Sequence, residues 1–214
     1  MNNILIFCAH PDDEVIGAGA TIAKYAKEGK NIFVIIFTYG ESSNPLLKKK
    51  ITIETRVKES KEIGKSLGCK ETIFLGVPEG KISKKLKDTT FINKISSLVK
   101  KYNPNKIFTH TSSDILHQDH VSVNKVITKV IDNLDKKYSL YTFPIWNPLR
   151  FLKRENPRLF VDVTKTFQKK IKAMKLFESQ KIFTYPLLPA VYLRAKVYGM
   201  ESNCKYAEKF YKIR

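Results

Sequence analysis

Apolar residues follow two patterns along this chain. Short unbroken runs, Ile4 to Ala9 and Ile32 to Phe37, have the length of strands covered on both faces. Between them, Val15, Ile16, Ile22, Ala23 and Ala26 recur at helical spacing, which predicts a helix over 12–28. Gly29 ends it at the position where glycine is favoured. Next come a polar loop over 39–50, a helix over 51–67 stopped by Gly68, and a short strand at Thr72 to Leu75. Lys81 to Thr90 is polar, lysine-rich and without a clear period. A helix is expected over Phe91 to Tyr102, closed by Asn103-Pro104, then a strand at Ile107 to Thr109 and a loop over 110–117. Helical spacing resumes through Val121, Val123, Val126, Ile127, Val130 and Ile131. The last third predicts strands near Ser139 to Phe143 and Leu159 to Val163, a helix near 165–180, and a short helix at the end.

Such alternation predicts an α/β fold: one domain over 1–214, a three-layer sandwich around a mostly parallel sheet. The part from about residue 139 is expected to complete the sheet and cover the site. Ligands in these folds bind beyond the carboxyl ends of the strands, so the residues standing there matter most.

The first strand ends in His10-Pro11-Asp12-Asp13-Glu14. Proline at a helix start and acidic residues in a first turn are ordinary helix chemistry. His10 is not explained that way. With Asp13 three residues on, across a tight turn, it can aim at one point, and imidazole and carboxylate are both good metal ligands. Asp12 between them is free to act as a base. The second cluster, His117-Gln118-Asp119-His120, sits where a loop enters a helix, and positions 117 and 120 share a face once the helix has begun. The chain has four histidines, and three lie in these two motifs. The fourth, His110, ends the strand that leads into the second motif. A scatter of core histidines would not fall this way, so the census favours a metal centre. Three protein ligands leave a position open, as in catalytic zinc sites, and a carboxylate base with a second histidine completes the parts for amide hydrolysis.

Composition narrows the picture less. The hydrophobic fraction is 43% and no apolar run approaches the about 20 residues that span a bilayer. No basic region or cleavage site precedes the first run, so no secretion signal is expected, and a cytoplasmic location follows. Three widely spaced cysteines, Cys8, Cys69 and Cys204, argue for a reducing compartment, with Cys8 as core. The net charge of +19 favours anionic partners without choosing among nucleic acid, a membrane surface and a phosphorylated substrate. No nucleic-acid motif is present, and contact with a membrane could only be peripheral. Gly17-Ala18-Gly19 suggests a dinucleotide fingerprint, but it lies inside the helix and lacks the third glycine, so close helix–sheet packing is the better reading.

The run Ala9-His10-Pro11-Asp12-Asp13-Glu14 together with His117-Gln118-Asp119-His120 resembles the PIG-L/LmbE-like N-acetylglucosaminyl deacetylases. Thr38-Tyr39-Gly40-Glu41, Arg56 with Glu59, Val161-Asp162-Val163-Thr164, Ser179-Gln180 and Ala207-Glu208 extend the likeness over nearly the whole chain. The resemblance implies a Rossmann-like fold and removal of an acetyl group from an N-acetylglucosamine-type substrate, or the same chemistry on another N-acyl substrate such as a thiol-cofactor precursor, an oligosaccharide or an antibiotic intermediate. It implies one zinc per chain, or iron in its place, held by His10, Asp13 and His120. Asp12 would be the general base, and His117 would stabilise the oxyanion or protonate the leaving amine. Asp114 and Asp119 would stand behind the ligands, and Arg56 near the substrate. Where members of the family often carry tyrosine and arginine around the second motif, this chain has Ile115 and Val121. Trp146 and Arg150, between two strands, are expected to cover the site and help select the substrate. The expected partners are a small N-acetylated sugar, with anionic forms favoured by the basic charge, and further copies of the chain.

Overall fold

The computed structural model describes residues 2–43, 46–114, 117–145 and 157–214. The apolar runs become strands that are buried on both faces. In β1 (Asn3–Cys8), Ile4, Ile6 and Cys8 pack into one core, while Leu5, Phe7 and the following Ala9 pack into another. In β2 (Asn31–Ile36), Ile32, Val34 and Ile36 join the first core and Ile35 the second. Successive side chains on a strand alternate in direction, so a continuous apolar run fills two cores at once. Fully buried side chains such as Phe7, Ile22 and Phe108 each contribute about 1.5–3 kcal/mol.

The first core is closed by α1 (Asp13–Lys27) and α2 (Lys49–Leu67), later joined by α5 (Phe167–Leu176) and α6 (Lys181–Glu201). The second is closed by α3 (Thr89–Tyr102) and α4 (Gln118–Asp132). Three layers result. Helix ends follow the sequence signals: Gly68 (φ 93°) and Asn103 (φ 42°) turn left-handed after α2 and α3, and the Asp88 carboxylate accepts from Phe91 N–H at the start of α3. The patternless stretch contains a 3₁₀ turn at Ile82–Lys87, with Ile82 fully buried.

With β3 (Glu71–Phe74), β4 (Lys106–His110), β5 (Ser139–Phe143), β6 (Arg158–Asp162) and β7 (Ala207–Lys212), the sheet has seven strands in the order β3-β2-β1-β4-β5-β7-β6. The pairs β1–β2, β2–β3, β1–β4 and β4–β5 are parallel, while β7 runs antiparallel between β5 and β6. The chain leaves β1 towards β2 and β3, then returns to the other side of β1 as β4. Helices following these two strands diverge, and a crevice opens between the carboxyl ends of β1 and β4.

The carboxyl-terminal end corrects the sequence reading. In place of a short final helix there is α6, with 21 residues, and then a seventh strand. Proline ordinarily breaks a helix, yet Pro186 and Pro189 lie inside α6, both on its exposed side. Strand β7 carries Glu208 and Lys209, which masked its pattern. Both are buried through ion pairs, Glu208 with Lys170 at 2.6 Å and Lys209 with Glu201 at 3.0 Å. Gly17 is a packing residue: a Cβ there would lie 2.3 Å from the Phe143 ring.

A candidate metal centre at the ends of two neighbouring strands

His10 stands two residues past the end of β1, and α1 begins at Asp13. The tight connection is held by His10 N–H donating to Asp13 Oδ2 at 2.8 Å. It forces Asp12 to φ 113°, a left-handed conformation that costs a non-glycine residue about 1–3 kcal/mol. His117 precedes α4, and His120 lies in its first turn. Because β1 and β4 are neighbours, motifs separated by a hundred residues meet.

His10, Asp13 and His120 present ligand atoms within 4.8 Å of one another, as a metal ion requires. His120 Nε2 lies 3.3 Å from Asp13 Oδ1 and is buried without a hydrogen-bond partner among the described residues. An orphaned imidazole nitrogen beside a carboxylate is what a metal ligand looks like without its ion, so these residues fit a divalent cation. The other edge of each histidine is backed by a carboxylate. His120 Nδ1 is 3.2 Å from Asp114 Oδ2, and His10 Nε2 is 3.5 Å from Asp119 Oδ2. Asp114 also accepts from Ile145 N–H at 3.0 Å, and Asp119 from Gly80 N–H at 2.8 Å. Carboxylates placed this way fix the ring orientation of metal-ligating histidines.

The field of the site asks for positive charge. Burial works against protonated imidazoles, yet hydrogen bonds to Asp119 and Asp13 carry His10 up to about 10, and Asp13 and Asp114 carry His120 up to about 9. Burial also works against an ionised Asp13, but His120 and His110 hold it well below the usual carboxylate range. His117, pushed down by burial and by His120, is neutral at pH 7.

Asp12 stands apart from the ligand set. Burial raises its carboxyl to about 7, against the pull of Arg56. Arg56 is buried and donates to Pro11 O at 2.6 Å, Gly40 O at 3.0 Å and Asp12 Oδ2 at 3.3 Å. Its guanidinium borders the cleft, but these bonds all run to the protein. Gly40 (φ 64°) allows the approach, since a Cβ there would lie 1.9 Å from Arg56 Nη1. Behind Asp12, Glu14 is buried and accepts from Asp12 N–H at 3.1 Å and Ser60 Oγ at 3.2 Å. Burial first, then neighbouring Asp12, pushes it up to about 8.

The cleft, about 150 Å³, is lined by the two histidine motifs, Asp12 and Arg56. Glu79, Gln180, Phe183 and Leu187 also line it, and none of these four was picked out as a site residue from sequence. Gln180 had a signal in the Ser179-Gln180 pair, while Glu79 arrives in a Pro-Glu-Gly turn that only tertiary structure brings to His10, 3.9 Å away. Trp146 and Arg150 lie outside the described residues. All three cysteines are free, and among the described residues no helix is long and apolar enough to cross a membrane.

Fold and site together define an α/β protein with a histidine–aspartate centre in the crevice between β1 and β4. The sequence pattern of the PIG-L family, described as GlcNAc-PI de-N-acetylase, matches residues 5–131, and the chain belongs to that family. It is 29% identical over 182 residues to the uncharacterized deacetylase YaiS of Escherichia coli, covering 82% of this chain and 90% of that protein. It is 22% identical over 189 residues to a probable N-acetyl-α-D-glucosaminyl L-malate deacetylase of Bacillus cereus, covering 83% of each. Among solved structures, the N,N'-diacetylchitobiose deacetylase of Pyrococcus horikoshii superposes with a TM-score of 0.84 at 20% identity, covering 99% of this chain and 84% of that one. The 4-carboxy-2-hydroxymuconate hydratase of Pseudomonas putida superposes with a TM-score of 0.83 at 19% identity, covering 100% and 97%. The last two share the fold, and the fold alone does not choose between their reactions.

Proposed function

We propose that this protein is a metal-dependent deacetylase acting on the acetamide group of an N-acetylglucosamine-type sugar. The observation that carries the reading is the orphaned His120 Nε2, converging with His10 and Asp13 on a cleft that also holds the strained Asp12. Membership of the family and the N-acetylated sugars named for the Bacillus and Pyrococcus proteins support the substrate class. Zinc suits a site of two imidazoles and one carboxylate, and iron(II) is another ion these ligands accept. When bound, the cation acidifies a water molecule and polarises the amide carbonyl.

The chain's own groups do the rest. Asp12, outside the ligand set and ionised at neutral pH to a useful fraction, takes the proton as water adds to the carbonyl carbon. Arg56 keeps that carboxylate in place. Neutral His117, its ring 4.7 Å from that of His120 and facing the cleft, donates its N–H to the oxyanion. The proton held by Asp12 passes to the nitrogen as the C–N bond breaks, giving acetate and the free amine. Asp114 and Asp119 orient His120 and His10. Ile16, Phe183 and Leu187 form an apolar wall beside the sugar.

The test is metal content measured alongside acetate release from N-acetylglucosamine and its glycosides, for the native protein, Asp12→Asn and His120→Ala. One metal per chain, lost in His120→Ala and retained by an inactive Asp12→Asn, is the expected result. A native protein that takes up neither zinc nor iron would sink the reading. Metal uptake without acetate release from any of the substrates would sink the substrate class.

A further inference from the structure

His110 has no part in the reaction just described, yet it occupies the centre of the scaffold behind it. It is fully buried at the last residue of β4. The β1–β4 pairing runs through Ile6 and Phe108, and two residues further on the His110 side chain takes over the strand-to-strand contact. Its Nε2 accepts from Ala9 N–H at 3.0 Å, at the residue immediately before His10. The same nitrogen lies 3.2 Å from Asp13 Oδ2. Its ring stacks on His120, with centroids 3.9 Å apart and planes 12° from parallel. Asn124 Nδ2 donates to the backbone carbonyl of His110 at 2.7 Å, and the Phe143 ring packs against the imidazole at 5.1 Å. One side chain therefore touches both halves of the ligand set, Asp13 by its edge and His120 by its face, and ties the backbone leading into His10.

We propose that His110 is a positioning residue that sets the spacing between the His10–Asp13 turn and His120, and so the affinity of the metal centre. The inference rests on the metal site proposed above. An ion held by three side chains from two separate motifs binds tightly only when the motifs are already at the right distance. A backing residue of this kind typically governs metal affinity by about tenfold to hundredfold. The critical atom is the accepting nitrogen, because the Ala9 N–H bond is what joins the two strand ends.

The experiment is zinc affinity by competition with a chromogenic chelator, with the unfolding temperature of the metal-free protein read in parallel. The proteins are wild type, His110→Phe, which keeps a ring and loses the acceptor, and His110→Gln, which supplies an amide oxygen in its place. Zinc binding about tenfold to hundredfold weaker in His110→Phe, and closer to wild type in His110→Gln, is the expected result. A merely structural residue would lower the unfolding temperature and leave the affinity of the folded protein unchanged, and that outcome overturns the proposal. So does a glutamine variant weaker than the phenylalanine one. Two zinc ions per wild-type chain, with one lost in His110→Phe, would overturn it as well by making His110 a ligand, since its ligand atom also lies near those of Asp114 and His120. If phenylalanine is not accommodated, His110→Ala carries the same comparison. A wild type that binds no zinc or iron removes the site itself, whereas equal binding by wild type and variants removes only the role of His110.

Discussion

Replacing Arg56 with methionine tests what activates Asp12. Methionine fills much of the space of the arginine stem and removes the charge and the donors. The guanidinium sits 3.3 Å from Asp12 Oδ2, and at an effective dielectric of about 20 such a pair is worth roughly 5 kcal/mol. Part of that offsets the burial of both groups. The net effect on a carboxylate losing an adjacent cation is about 1–3 pKa units, or about 1.4–4 kcal/mol. Burial holds Asp12 up to about 7, and Arg56 is the largest influence drawing it down, so its removal sends Asp12 higher. The ionised fraction at pH 7 then falls by about one to three orders of magnitude, and kcat falls with it. At alkaline pH the variant regains much of the loss. The assay is kcat and KM for acetate release from pH 5 to 10, with metal content and folded fraction checked by elemental analysis and circular dichroism. A raised KM with an unmoved acid limb would refute this reasoning and make Arg56 a contact to the substrate.

Three further outcomes follow from the same geometry. In the native enzyme, activity rises with pH as Asp12 ionises; a divalent cation beside it can only lower the value of about 7, so the acid limb of kcat/KM is centred at or below 7, and a limb above 8 counts against Asp12 as the base. Lys170→Met leaves Glu208 buried with its charge uncompensated; a loss of about 3–5 kcal/mol lowers Tm by about 6–20 °C, pairing it with Glu208→Leu restores most of that, and a single-variant loss below about 1 kcal/mol would show the pair to be unimportant. Gly17→Ala drives a methyl into the Phe143 ring and costs about 1–3 kcal/mol, which Phe143→Leu relieves; strictly additive unfolding free energies in the double variant would contradict the contact.

The first two-thirds of the molecule was legible because its signals are local. Runs such as Ile4 to Ala9 have the length and continuity of strands buried on both faces, and Gly29, Gly68 and Asn103 mark helix ends through their own backbone conformations. The meeting of the two candidate motifs was legible because His10 and Asp13 share one turn, and His117 and His120 share another at the end of a neighbouring strand. What escaped depends on partners far along the chain. Strand β7 is hidden because Glu208 and Lys209 look exposed until Lys170 and Glu201 are placed beside them. Helix α6 is hidden because the cost of its prolines depends on which face meets water. Glu79 reaches the cleft from a turn, and Arg56, legible as a site residue, binds the protein's own carbonyls in a way no spacing rule foretells.

A deacetylase and a hydratase share this scaffold, so the fold leaves the kind of chemistry to a few side chains. Asp12 shows how local stability yields to that requirement. It stands at the N-cap of α1, where an aspartate ordinarily accepts a hydrogen bond from the first turn, worth about 0.5–2 kcal/mol. Here the side chain makes no cap bond. It is turned instead towards Arg56 and the cleft, at a φ of 113° that adds a further cost of about 1–3 kcal/mol. Both are offset by the surrounding network, in which Glu14 accepts the Asp12 N–H and Arg56 holds the carboxylate and the Pro11 carbonyl. A residue serving only to start the helix would relax into the cap. Its displacement towards the cleft is the local structure expected of the base proposed above.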